Sequence, residues 1–146
     1  MKKLFILSLV LLSPLLFSSG QAHELETGKD GKVAALIHIE PDDQPIAGQI
    51  HTVWFELTER GGKKIDLSSC KCTLKVYPGA YKAAIKPQSQ PILNAGKVGE
   101  GQGKPSARVN FKTPGAYTLV LEGKPKMTGA FPVFRLEFVT RVDKKE

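Results

Sequence analysis

Between residues 32 and 142 the apolar side chains recur at every second position, in short runs separated by Gly and Pro. No stretch there keeps a helical period. Alternation of this kind puts one face of a strand toward a core and the other toward water. Cys70–Tyr77 (CKCTLKVY) is the clearest case: Cys70, Cys72, Leu74 and Val76 share one face, and Lys71, Thr73 and Lys75 the other. Further strands are predicted over Lys32–Glu40, Gln49–Thr58, Ser106–Thr113, Ala116–Glu122 and Phe131–Val142, with a short edge strand over Tyr81–Lys86. Pro87–Pro105 reads as a Gly/Pro/Gln-rich loop with little to bury. About seven short strands separated by turn signals predict an all-β fold, an immunoglobulin-like antiparallel β-sandwich. The inward residues then include Val53, Phe55, Leu57, Leu74, Val76, Val109, Phe111, Leu119, Phe134 and Leu136. Tyr117, just after the Pro114-Gly115 turn, stands where such sandwiches place a tyrosine corner. It is equally read as an aromatic residue opening a strand. Leu119 occupies the position of the second cysteine of an antibody-type disulfide, so that bridge is absent.

Ahead of this pattern stands a segment of another kind. Lys2 and Lys3 precede an uncharged apolar run, Leu4–Phe17, and then Ser18-Ser19-Gly20-Gln21-Ala22. A basic start, a short apolar stretch and a small-residue site predict a cleaved secretory signal over residues 1–22. The run is shorter than the ~20 residues a transmembrane helix needs. The expectation is a single mature domain, residues 23–146, in the periplasm or secreted, with no membrane span after cleavage. Removing Lys2 and Lys3 lowers the formal charge from +7 to +5. The remaining basic residues are scattered and not interleaved with aromatics, which argues against a nucleic-acid partner.

Few residues could carry chemistry. There is no GxSxG elbow, no HExxH pair and no phosphate-cradling glycine loop. The expectation is therefore a non-enzymatic module. Cys70 and Cys72 lie two residues apart on one strand face, about 6.6 Å between Cα atoms at full strand rise. Three readings stay open: a disulfide in an oxidising compartment, two buried thiols, or a thiolate pair for a soft metal, Cu(I) above all. His23 would open the mature chain, and its amine and imidazole could chelate Cu(II); the alternative is a frayed terminus. In immunoglobulin strand order Cys70, Cys72, Met127 and the arm from His23 to Gly31 share one pole of the sandwich, with His51 at the other. His23, Cys70, Cys72 and Met127 are the first candidate metal site. A second candidate is His38 with His51. If the strands flanking Pro41–Gly48 pair so that partner numbers sum to 89, these imidazoles are direct neighbours, with Glu40, Asp42 and Asp43 close by, and could take Zn(II) or Cu(II).

Ile39-Glu40-Pro41, Pro45-Ile46-Ala47-Gly48, the Gly61-Gly62 loop and Pro114-Gly115-x-Tyr117 together give the chain its resemblance to the small secreted bacterial sandwiches of the CopC-like and YtkA-like kind. The resemblance covers most of the mature chain in pattern. It implies copper as the ligand and an N-terminal His after cleavage, a position His23 matches. The other ligands of those proteins have no counterpart that can be assigned here. The contrasting reading is an immunoglobulin-like module that binds an envelope protein, with purely structural cysteines.

Overall fold

The computed structural model describes residues 24–97 and 99–146. The signal segment and His23 lie outside the described residues. Among the described residues nine strands follow one another: β1 (Leu25–Thr27), β2 (Val33–Ile39), β3 (Ile50–Glu59), β4 (Lys64–Ile65), β5 (Cys70–Pro78), β6 (Asn94–Ala95), β7 (Pro105–Asn110), β8 (Gly115–Pro125) and β9 (Phe134–Val142). A single 3-10 turn, Gly99–Gly101, is the one helical element among the described residues. One sheet runs β1-β2-β3-β7-β6, with β4 also paired to β3. The other runs β5-β8-β9. Every ladder between these strands is antiparallel.

The two sheets face each other across one apolar layer. Val33, Ala35, Ile37 and Ile39 of β2, Val53, Phe55 and Leu57 of β3, and Ala107 and Val109 of β7 point inward from the first sheet. Leu74 and Val76 of β5, Leu119 and Leu121 of β8, and Leu136 and Phe138 of β9 meet them. The Phe55 and Phe138 rings lie 5.4 Å apart across the layer. All ten residues expected in the core are buried. Each fully buried side chain of this size contributes roughly 1.5–3 kcal/mol, which outweighs the weak local preferences of such short strands.

Tyr117 opens the inner row of β8. The backbone N–H of Thr113 donates to its hydroxyl at 3.1 Å, and the hydroxyl donates to Gln88 Oε1 at 3.3 Å. The turn before β8 is thereby tied to the aromatic residue that follows it.

Several elements differ from the sequence expectation, β4 and the 3-10 turn among them. Tyr81–Lys86 is no strand. It folds over the outer face of β5-β8-β9, where Tyr81 sets its ring edge against Tyr77 (5.1 Å between centroids) and Arg135 stacks on Tyr81 at 4.1 Å. Thr118 Oγ1 donates to Gly79 O at 2.7 Å and fixes the start of this cover. That is why Tyr77, Thr118 and Val120 are buried although they point away from the core. The short edge strand is β6, inside the segment expected to be loop. β1 adds an edge beyond β2, although Leu25–Thr27 has no apolar alternation to announce it.

Candidate functional site

The ladder between β2 and β3 decides what the histidines can do. Its partners sum to 92, not 89: Leu36 faces Glu56, Ile37 faces Phe55 and His38 faces Trp54. The difference is odd, and side chains alternate with period two, so the expected face assignment is exchanged. His38 and His51 therefore lie on opposite faces of the sheet, and the paired-imidazole site between them is corrected. The alternation already held the signal. Ile37 and Ile39 point inward, so His38 points outward; Val53, Phe55 and Leu57 point inward, so His51 does too.

His51 instead organises the 40–49 loop. It is buried. The Ile46 N–H donates to its Nε2 at 3.0 Å, and its Nδ1 lies 3.0 Å from Glu40 O. Nε2 also lies 3.2 Å from Ile46 O, so both ring nitrogens are engaged by the backbone of the loop. The loop is tied from elsewhere as well: Ala47 N–H to Asp143 O (2.9 Å), Asp143 N–H to Pro45 O (2.8 Å) and Gly48 N–H to Phe111 O (2.8 Å). Asp43 takes a left-handed backbone, φ 58°, as short polar residues can. Its carboxylate accepts the Ile39 N–H, and that of Asp42 accepts the Gln44 N–H.

On the outer face above this loop, His38 stacks on Trp54 with ring centroids 3.8 Å apart and planes within 9° of parallel. Lys104 Nζ stands 4.5 Å from the same indole and 3.4 Å from Glu56. Gly101 of the 3-10 turn also lies over the indole, where an added Cβ would come 3.3 Å from Trp54 Cγ. The result is an open cavity of about 350 Å³ lined by His38, Glu40, Pro41, Asp42, Asp43, Trp54 and Glu100. Four carboxylates and one imidazole give it a negative potential suited to a cation. Among the described residues, no three His, Cys, Asp or Glu side chains already converge at metal-binding distance. Glu40, Asp42 and Glu100 are exposed. Glu100 was not read from the sequence; it arrives from a distant turn.

Of the first candidate site, Cys70, Cys72 and Met127 are among the described residues and His23 is not. Cys70 and Cys72 are joined as a disulfide, with Cα atoms 5.4 Å apart. This is shorter than the spacing of a fully extended strand, so local contraction brings the pair within the usual disulfide range. As a disulfide the pair carries no thiolate. Met127 is 77% exposed. It follows Pro125, the ladder partner of Cys70, so the three residues share one pole. His51 is at the other pole, beside Ile46 and Asp143. Glu24, the first described residue, is hydrogen-bonded away from the cysteines: Ile37 N–H donates to its carbonyl at 3.3 Å and Val139 N–H to its carboxylate at 3.0 Å. Burial raises the pKa of Glu24, and the Val139 hydrogen bond opposes that rise.

Gly123 faces Cys72 on the ladder. A Cβ there would overlap the Phe134 ring and stand 2.9 Å from Cys70 Sγ. Neither neighbour can retreat, one being buried and the other disulfide-bonded. Gly123→Ala is expected to cost about 1–3 kcal/mol, measured as a lower urea midpoint at unchanged slope.

Comparison of the chain with protein-family models, with curated proteins and with solved structures returned no match. The functional reading therefore rests on the residues and their geometry.

Proposed function

We propose that this chain is an extracytoplasmic, non-enzymatic binding module on an immunoglobulin-like sandwich, and that it holds a copper ion at the His38 pole. The leader Lys2–Ala22 supports export, and a disulfide between its only two cysteines suits an oxidising compartment. The strand order supports the immunoglobulin-like reading. β2-β3-β7-β6 against β5-β8-β9 follows the A-B-E-D and C-F-G arrangement of constant-type domains, and the Tyr117 hydroxyl bonded to the Thr113 backbone matches a tyrosine corner.

The observation that carries the copper reading is the cavity joining the His38 imidazole to Glu40, Asp42, Asp43 and Glu100. Imidazole with carboxylates is a donor set for Cu(II). The resemblance to the CopC-like sandwiches adds to it, His23 matching their N-terminal His after cleavage. Cleavage after Ala22 would supply a terminal amine and a second imidazole from His23.

Copper(II) titration of protein matured by its natural signal cleavage tests this. One equivalent should bind, with nitrogen hyperfine structure in the electron paramagnetic resonance spectrum. His38→Ala should weaken binding at least about tenfold, or ~1.4 kcal/mol. An extra residue ahead of His23 should do the same. Equal copper affinity in wild type and His38→Ala overturns the reading.

A further inference from the structure

At the pole opposite His38, the outer face of the three-stranded sheet carries a pairing that folding alone does not favour. Lys71 of β5 and Lys124 of β8 are direct ladder partners, and both are exposed. Like charges directly opposite each other destabilise an antiparallel pair. The neighbouring carboxylates do not relieve it. Glu122 lies 2.8 Å from Lys75 Nζ and 3.5 Å from Arg135 Nη1. Its hydrogen bond holds the Lys75 ammonium above the ordinary lysine range. Arg135 is further held by Glu137 at 2.9 Å, and Asp30 accepts the Lys32 N–H at 3.0 Å. Lys71, Lys124 and Lys29 make no ion pair among the described residues. All three line one open groove of about 590 Å³, a volume typical of small-molecule sites. Its wall is apolar where Val133, 73% exposed, stands beside Phe134 and Gly123.

We propose that this groove binds a phosphate-bearing ligand, its phosphoryl group bridging Lys71 and Lys124, with Lys29 at the rim and any apolar portion against Val133. A phosphate monoester carries about −1.5 to −2 charges at neutral pH, which matches two facing ammonium groups. Lysine binds phosphate as a point charge, whereas planar carboxylates favour the arginine fork. The one arginine of the groove is already engaged by Glu122 and Glu137. The ligand converts a repulsive cross-strand pair into a bridged one, and the apolar wall admits a phospholipid headgroup as well as a soluble phosphoester.

The test uses the full mature protein with two probes, inorganic phosphate and phosphatidylcholine vesicles with or without phosphatidylglycerol. Phosphate should shift the amide resonances of Lys71, Gly123 and Lys124 and saturate. Lys71→Glu should weaken that binding at least about tenfold, yet raise the melting temperature, because it places opposite charges across the ladder. Lys144→Glu, the same charge change in the C-terminal tail, should leave binding intact. Pelleting with phosphatidylglycerol vesicles that Lys71→Glu abolishes would support a lipid source; phosphate shifts without pelleting would support a soluble one. No response to either probe, or equal weakening by Lys144→Glu and Lys71→Glu, overturns the proposal.

Discussion

Phe55→Ala is expected to remove about 3–5 kcal/mol of stability. Phe55 is fully buried, and its ring joins the two sheets through Phe138 at 5.4 Å. Truncation deletes the transfer energy of the ring and leaves a void between layers that strands hydrogen-bonded on both sides cannot close. Natural domains hold only about 5–15 kcal/mol in total, so the variant should be partly unfolded near its working temperature. Urea denaturation followed by the fluorescence of Trp54, the only tryptophan, measures this. A double-mutant cycle with Phe138→Ala should return a coupling of roughly 0.5–1.5 kcal/mol from the tilted ring pair. A loss below 1 kcal/mol for the single variant would mean that this contact is not central to the core.

His51→Ala should cost about 2–4 kcal/mol. It strands a part-buried donor, Ile46 N–H, and a part-buried acceptor, Glu40 O, both of which the buried imidazole now pairs. The effect should be local as well as global. Amide exchange at Ile46 should accelerate more than exchange in β8, because the 40–49 loop loses its internal tie. Copper affinity at the His38 cavity should fall too, since Glu40, Asp42 and Asp43 stand on that loop. His38→Ala gives the contrasting signature. It loses a half-buried stacking contact worth about 0.5–1.5 kcal/mol, with little loss of fold and the full loss of the proposed metal ligand. Equal stability of His51→Ala and wild type would remove the organising role assigned to His51.

The two histidines show what could be read in advance. The sequence by itself determined the all-β class, six of the strands and the inward row, because a period-two pattern in CKCTLKVY or QIHTVWFELT buries its apolar half whatever the partner strand is. That same parity held the signal for His51 in the core and His38 outside, but the assumed register, with partner numbers summing to 89, set the two on one face instead. Four things were settled only by tertiary structure. The β2–β3 register follows from a ten-residue loop tied to Asp143 and Phe111, so its length alone could not give the pairing. The burial of Tyr77, Thr118 and Val120 depends on Tyr81 and Gly79 folding back over an outer face that local alternation marks as wet. The Lys71–Lys124 pair joins strands far apart in sequence, and Glu100 reaches the His38 cavity from a distant turn. Local pattern decides which face of a strand is apolar, because that depends only on backbone geometry. Which two faces meet depends on the free energy of the whole packed layer, and no single segment contains that information.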